Sequence, residues 1–181
     1  PYTTLFRSVG TLVLDDRSFT RENLNARTYA LFHIFEGLTF RSNLSMDYYS
    51  LYQTTFQNPQ FGDAANVQGR GTKMHDRMIG ITANQLLNFN RRFGRHNVDF
   101  LLGHEAYLMT FNTLSATRTT FPVPGITEIG IATTTTAASS RQDSYALEGY
   151  FTRLTYDFDN RYYFSASYQI GRASCRLRLY I

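Results

Sequence analysis

Between Leu38 and Tyr52 the chain alternates apolar and polar residues for about fifteen positions, and this alternation limits the possible folds more than any other feature. Leu38, Phe40, Leu44, Met46, Tyr48 and Tyr52 fall on one parity, with small Ser42 and Ser50 between them. Thr39, Arg41, Asn43, Ser45, Asp47 and Tyr49 fall on the other. A strand sends successive side chains to opposite faces, so this stretch has one greasy face and one wet face. A helix needs spacings of three and four and would mix the two sets. Strands in soluble proteins usually run about five or six residues. A run this long predicts a tilted strand that crosses a membrane and continues beyond it.

The pattern recurs. Tyr162, Phe164, Ala166 and Tyr168 alternate with Tyr163, Ser165 and Ser167. Tyr150, Thr152, Leu154 and Tyr156 alternate with Gly149, Arg153 and Thr155, and the two stretches are joined by Asp157-Phe158-Asp159-Asn160, a hairpin turn by composition. Ile79, Ile81, Ala83, Leu87 and Phe89 form another apolar face, which Gln85 interrupts. After a turn at Arg91 to His96, with Gly94 as its permissive residue, Val98, Phe100, Leu102, Ala106 and Leu108 form the next. Leu101, His104 and Met109 disturb that last pattern. A first strand of about Arg27 to Phe35, apolar on both sides, is expected to turn Ala30, Phe32 and Ile34 outward and to lead through Phe35-Glu36-Gly37 into the second.

Six strands follow, with connections of alternating length. Those after Phe35, Asn90 and Tyr156 are short. Those at about Phe56 to His75 and Asn112 to Ser144 are long and polar. Barrels of the outer membrane pair tight inner turns with long outer loops in this way. The aromatic residues, 13 Tyr and 15 Phe with no Trp, divide by depth. Phe35, Phe40, Phe89, Phe93, Phe100, Tyr156, Phe158, Tyr162 and Phe164 lie near the short turns, and Tyr48, Tyr49, Tyr52, Tyr107 and Phe111 near the long loops. Two interfacial girdles are therefore expected. The fold class is all-β, an antiparallel transmembrane β-barrel segment. A soluble ligand-binding β-barrel with an aromatic core is the alternative.

The two ends differ from the rest. Pro1 to Ser8 (PYTTLFRS) and the IGRASCR string from Ile170 resemble translated sequencing-adapter DNA, so residues 1–8 and 170–181 are expected to be artefacts flanking a partial barrel domain at 9–169. Setting aside Arg7, Arg172, Arg176 and Arg178 takes the 18 basic residues to 14, equal to the 14 acidic ones. The formal net charge of +4 then gives no reason to expect nucleic acid as a partner. The same cut removes Cys175, the sole cysteine, and with it any thiol chemistry.

No catalytic set emerges. His33, His75, His96 and His104 are scattered, and adjacent His104 and Glu105 point to opposite faces of a strand, so no metal or other cofactor is expected. Arg41, Asn43, Asp47, Asp99, Glu105 and Arg153 are candidates for a barrel lumen, because a charge on the lipid face costs roughly 2–4 kcal/mol at mid-depth for Arg. Phe61, Arg70, Arg118 and Phe121 are candidates for outer-loop contacts.

Several stretches together resemble one family. Phe35-Glu36-Gly37-Leu38-Thr39-Phe40 with Met46-Asp47-Tyr48-Tyr49, then Phe93-Gly94-Arg95-His96-Asn97 with Leu102-Gly103-His104-Glu105, the loop element Phe121 to Glu128, and Tyr150 to Tyr163 are similar, in order, to motifs of SusC/RagA-type TonB-linked outer-membrane proteins of Bacteroidetes. The likeness covers nearly all of Asn25 to Gln169. It departs after Tyr168, where the family continues differently. It implies about six strands of a 22-strand barrel with an N-terminal plug, a SusD-like surface lipoprotein as partner, and energy from the TonB complex through a missing N-terminal part. It also implies outer-membrane lipid around the barrel and import of a bulky oligosaccharide or peptide, with no chemistry on the solute. A passive porin or structural barrel would lack the plug. A barrel enzyme would need a Ser or Asp/His constellation near one rim, which the sequence does not offer. Six strands alone cannot close such a barrel, so the isolated segment is expected neither to insert nor to transport.

Overall fold

The computed structural model describes residues 9–123 and 125–178, with 172–178 as backbone alone. After a helical turn at 9–14, six strands form one antiparallel sheet in chain order: β1 (Asp16–Phe35), β2 (Leu38–Gln57), β3 (Arg70–Phe93), β4 (His96–Thr119), β5 (Thr134–Phe158) and β6 (Tyr162–Arg178). Every neighbour in the sheet is a neighbour in sequence. No helix among the described residues is long and apolar enough to cross a membrane. This is the all-β barrel-segment architecture expected from the alternation.

The register fixes two faces. Phe32, Phe40 and Leu87 lie opposite one another across β1, β2 and β3, as do Ala26, Met46, Ile81 and Leu108 across β1 to β4. These parities form a continuous apolar face, with Ala30 and Phe32 on the side expected for them; Ile34 falls at a bulge between His33 and Phe35, where Phe35 takes over the pairing with Leu38. On β2 the apolar band runs from Leu38 to Tyr48. At about 3.4 Å per residue and a tilt near 40°, it stands roughly 25 Å tall, the height of the apolar belt of membrane barrels. Above it the same face turns polar, with Glu22, Ser50, Arg77, Asn112 and Gln142 in one cross-strand row.

The strands are longer than their alternation suggests, at 20 to 25 residues from β1 to β5. Both long connections shrink accordingly, to 58–69 and 120–133. Beyond the apolar band both faces of a strand meet water, so the hydrophobic period fades while backbone pairing continues. The Thr-rich start of β5 belongs to such a strand, as β-branched residues favour it. β1 likewise begins at Asp16 rather than Arg27. The backbone of β6 stays paired with β5 through the adapter-like residues as far as Arg178; residues 1–8 and 179–181 lie outside the described residues.

The short turns are tight. Gly37 (φ +88°) and Gly94 (φ +59°) take left-handed backbone, and in the last turn Asp159 and Asn160 do so at φ +56° and +54°, where Asp and Asn are the best tolerated residues after Gly. The lower aromatic girdle is present on the apolar face, where Phe32 stacks on Phe40 at 6.2 Å and Phe158 on Tyr162 at 6.5 Å. The upper girdle needs correction. Tyr48 and Tyr52 share the apolar parity, but Tyr49, Tyr107 and Phe111 sit on the opposite face, because side-chain direction follows odd or even position and not depth.

Candidate functional site

The six polar candidates lie on one face, opposite the apolar band. Arg41, Asn43 and Asp47 pair with Leu86, Asn84 and Gly80 on β3; Asn84 then pairs with Glu105, and Asn90 with Asp99. Arg153 comes to this face through Leu101. Four of the six meet in two pairs; in the first, Arg153 Nη2 lies 3.7 Å from Asp99 Oδ1, while Asn90 Nδ2 donates to Asp99 Oδ2 at 2.8 Å. Arg41 Nε donates to Asn43 Oδ1 at 2.9 Å, and its guanidinium lies 5.0 Å from the Tyr29 ring centre. Asp47 and Glu105 stand apart from these pairs. Two glycines on the same face make room for rings across the strand gap. A Cβ on Gly103 would lie 2.2 Å from the Phe151 ring, and one on Gly80 would lie 3.4 Å from the Tyr107 hydroxyl.

Arginines near the start of the chain join this face unforeseen. Arg17, Arg21 and Arg27 of β1 share the parity of Arg41, and Arg27 lies opposite Ser45. Arg27, Tyr29, Arg41, Asn43 and Asn84 line a hollow of about 540 Å³. Their signal was the even spacing of Arg17, Arg21 and Arg27, which keeps one parity as far as the start of β1.

The loop candidates behave differently. Phe121 is buried (8% exposed) against Phe56 at 5.0 Å between ring centres, in a small cluster with Ala132 and Ile131. Arg118 lies on β4, not in a loop, and donates to the carbonyls of Ile129 and Gly130 at 3.1 and 3.2 Å. Arg70 begins β3 and donates to Gln57 Oε1 at 3.2 Å. These three hold the loops in place and are spent on that task. Phe61 remains half exposed, beside Gly10 of the helical turn, and Asp15 Oδ1 ties that turn to loop 58–69 by accepting from the backbone and side chain of Asn58 at 2.8 and 2.6 Å.

Above the apolar band, Lys73 donates to Glu128 and so clips loop 120–133 to β3. That hydrogen bond raises the Lys73 pKa above its ordinary value, against a smaller desolvation effect. A raised lysine pKa contributes stability that is complete below the unfolded value of about 10.4. The contribution is lost as pH climbs through the raised value. Lys73→Met is therefore expected to speed proteolytic cleavage within 120–133 at pH 8, and its cleavage rate should not rise further in alkali. The unaltered chain should approach the same rate only above about pH 10.4. Cleavage mapping by mass spectrometry reads this, and equal rates at pH 8 would remove the clip.

The apolar face carries one polar cluster. Gln85 Oε1 lies 2.7 Å from His104 Nδ1, and Glu148 Oε1 lies 3.1 Å from His104 Nε2. The Tyr150 hydroxyl donates to the same Glu148 oxygen at 3.0 Å, and its ring lies 4.6 Å from that of His104. Gln85 and His104, which each interrupt an apolar run, thus face one another across β3 and β4. Among the described residues no group of three His, Cys, Asp or Glu side chains is placed to hold a metal ion.

No family model and no curated protein matches the sequence. Solved structures do. The structure of the RagAB peptide transporter matches with a TM-score of 0.80 at 16% identity over 89% of this chain. The RagAB peptide importer in its closed-closed state matches with a TM-score of 0.81 at 17% identity over 90%. In each case this chain spans 18% of the transporter chain. The fold is therefore that of a segment of the RagAB barrel, in agreement with the SusC/RagA resemblance of its motifs.

Proposed function

We propose that this chain is part of the barrel wall of a SusC/RagA-type TonB-dependent importer of the outer membrane. It would carry a peptide or glycan past a displaced plug, with a SusD-like lipoprotein at the outer mouth and no chemistry on the solute. One observation carries this reading: a sheet of six long antiparallel strands with a roughly 25 Å apolar band on one face and paired charges on the other, in the fold of RagAB. The apolar face then meets lipid, and Arg41, Asn43, Asp47, Asp99, Glu105 and Arg153 face the lumen.

The test uses the intact protein that contains this segment. Single cysteines at Leu44 and Asn43, neighbours on opposite faces, are spin-labelled in lipid vesicles. The expected result is oxygen-enhanced relaxation at position 44 and relaxation by a water-soluble nickel chelate at position 43. In cells, uptake of labelled peptides should stop when the proton-motive force is collapsed. Uptake that persists would indicate a passive porin, and nickel access at both positions would indicate a soluble sheet.

A further inference from the structure

On the polar face of β1 and β2, Arg17, Arg21, Arg27 and Arg41 are balanced by one carboxylate, Asp47, since Asp16 and Glu22 have the opposite parity. All four arginines are exposed, and among the described residues none is within ion-pair distance of a carboxylate. Their cationic groups lean on rings instead: Arg41 on Tyr29 at 5.0 Å and Arg21 on Tyr49 at 6.0 Å. Farther round the same face the carboxylates gather, with Asp76, Asp99, Glu105, Asp143 and Asp157 on β3 to β5. There Arg141 and Arg153 are taken up by Asp143 at 2.9 Å and Asp99 at 3.7 Å. The face therefore carries an unneutralised basic strip on β1 and β2, beside a remainder in which five carboxylates are offset by Arg70, Arg92, Arg141 and Arg153.

The strip has two hollows along its length. One of about 340 Å³ lies between Arg17 and Arg21, near the long-loop end. The other, about 540 Å³, lies nearer mid-strand and is walled by Arg27 and Arg41. Arg21 and Arg27 are six residues apart, roughly 20 Å along a strand. That distance is spanned by about six residues of an extended chain.

We infer that this strip is the track for acidic peptides, with Asp and Glu side chains of the solute bound first between Arg17 and Arg21 and then between Arg27 and Arg41. This deepens the importer reading and rests on it. Guanidinium pairs carboxylate by charge-assisted and often bidentate hydrogen bonds. Asn43, Asn84, Ser45 and Thr82 beside the deeper hollow offer both donors and acceptors, which suits a peptide backbone. An acidic sugar would want an open aromatic face for its ring; Tyr29 beside the deeper hollow already carries the Arg41 guanidinium, which leaves Phe19 of the other hollow as the ring such a sugar would use. The near-balanced charges of β3 to β5 offer an acidic chain no comparable attraction, which leaves β1 and β2 as its track.

The experiment uses the intact importer with its lipoprotein partner, purified in detergent and also expressed in cells. The probes are a fluorescent heptapeptide with four Glu residues, the same peptide with Gln at those positions, and a tetragalacturonate as competitor. The Glu peptide is expected to bind more tightly, with an affinity that falls as salt rises. Arg27→Gln/Arg41→Gln should weaken the Glu peptide about tenfold and leave the Gln peptide unchanged. Arg27→Lys/Arg41→Lys, which keeps the charge but loses the bidentate fork, should weaken the Glu peptide less than the Gln pair does, and heat-modifiable gel mobility confirms that each variant folds. Equal weakening of both peptides, no weakening of either, or stronger displacement by the galacturonate than by unlabelled Glu peptide would overturn the inference. If the Gln peptide is still imported under energy, the importer reading survives that failure. If neither peptide is imported, the importer reading itself has failed.

Discussion

Replacing His104 with leucine should destabilise the folded barrel in lipid vesicles by about 2–3 kcal/mol, although leucine is what the apolar band would be expected to prefer. His104 sits in mid-band between Gln85 and Glu148 and occupies a polar atom of each, at 2.7 and 3.1 Å. Hydrocarbon supplies no replacement partner, so removing the imidazole strands the Gln85 amide and leaves the Glu148 carboxylate with the Tyr150 hydroxyl in place of two donors, where polar atoms are costly. The quadruple replacement Gln85→Leu/His104→Leu/Glu148→Leu/Tyr150→Phe removes every stranded group together. It should return to within about 1 kcal/mol of the starting stability or exceed it, as apolar replacement of buried ion pairs often does. Urea unfolding of the intact barrel in vesicles measures both. If His104→Leu alone is neutral, the apolar face around β4 does not meet lipid, and the lumen assignment of the opposite face fails with it.

The second large effect belongs to a turn. Gly37→Ala is expected to cost about 2 kcal/mol or more, whereas Gly94→Ala, in the equivalent turn between β3 and β4, should cost about 1 kcal/mol. Both glycines have positive φ, so both substitutions carry left-handed strain. The surroundings differ. A Cβ on Gly37 would lie 2.5 Å from the carbonyl oxygen of Asn90, and the Asn90 amide donates to the Gly37 carbonyl at 2.7 Å, which pins the two backbones together. A Cβ on Gly94 meets nothing within 4 Å. Backbone cannot swing aside as a flexible side chain does, so the clash adds to the strain. Unfolding midpoints of the two variants compared side by side decide the matter, and equal losses would mean that the β1–β2 turn is not held against β3.

The polar strip and the polar cluster show how differently two kinds of interruption read in sequence. Arg17, Arg21 and Arg27 keep the odd parity that Arg41 and Asn43 keep, so their face was open to inspection once β1 was extended. Gln85 and His104 break parity rules locally, and each looked like noise. They lie nineteen residues apart, and only the β3–β4 register sets one opposite the other. Phe121 and Arg118 mislead in the opposite direction. As an aromatic and a charge in a polar region they suggest contacts with a visitor, yet Phe121 is buried against Phe56, and Arg118 is bound to two loop carbonyls.

Local chemistry determined the strands, their two faces and their short turns. Side-chain parity is a property of extended backbone, and Gly37, Gly94 and Asp159-Asn160 meet the backbone demands of tight turns within a few residues. The motifs Phe35 to Tyr49 and Tyr150 to Tyr163 carried the family resemblance for the same reason, since each is a tight turn with the strand residues beside it. Strand length beyond the apolar band was decided only by the sheet. There both faces are wet, the hydrophobic period vanishes, and a strand exists because its neighbour offers hydrogen bonds. Tertiary structure alone also decided which charges are spent and which are free. Arg153 meets Asp99 across β4 and β5, while Arg27 and Arg41 meet no carboxylate among the described residues, because pairing depends on register between strands and register is not written in either strand alone.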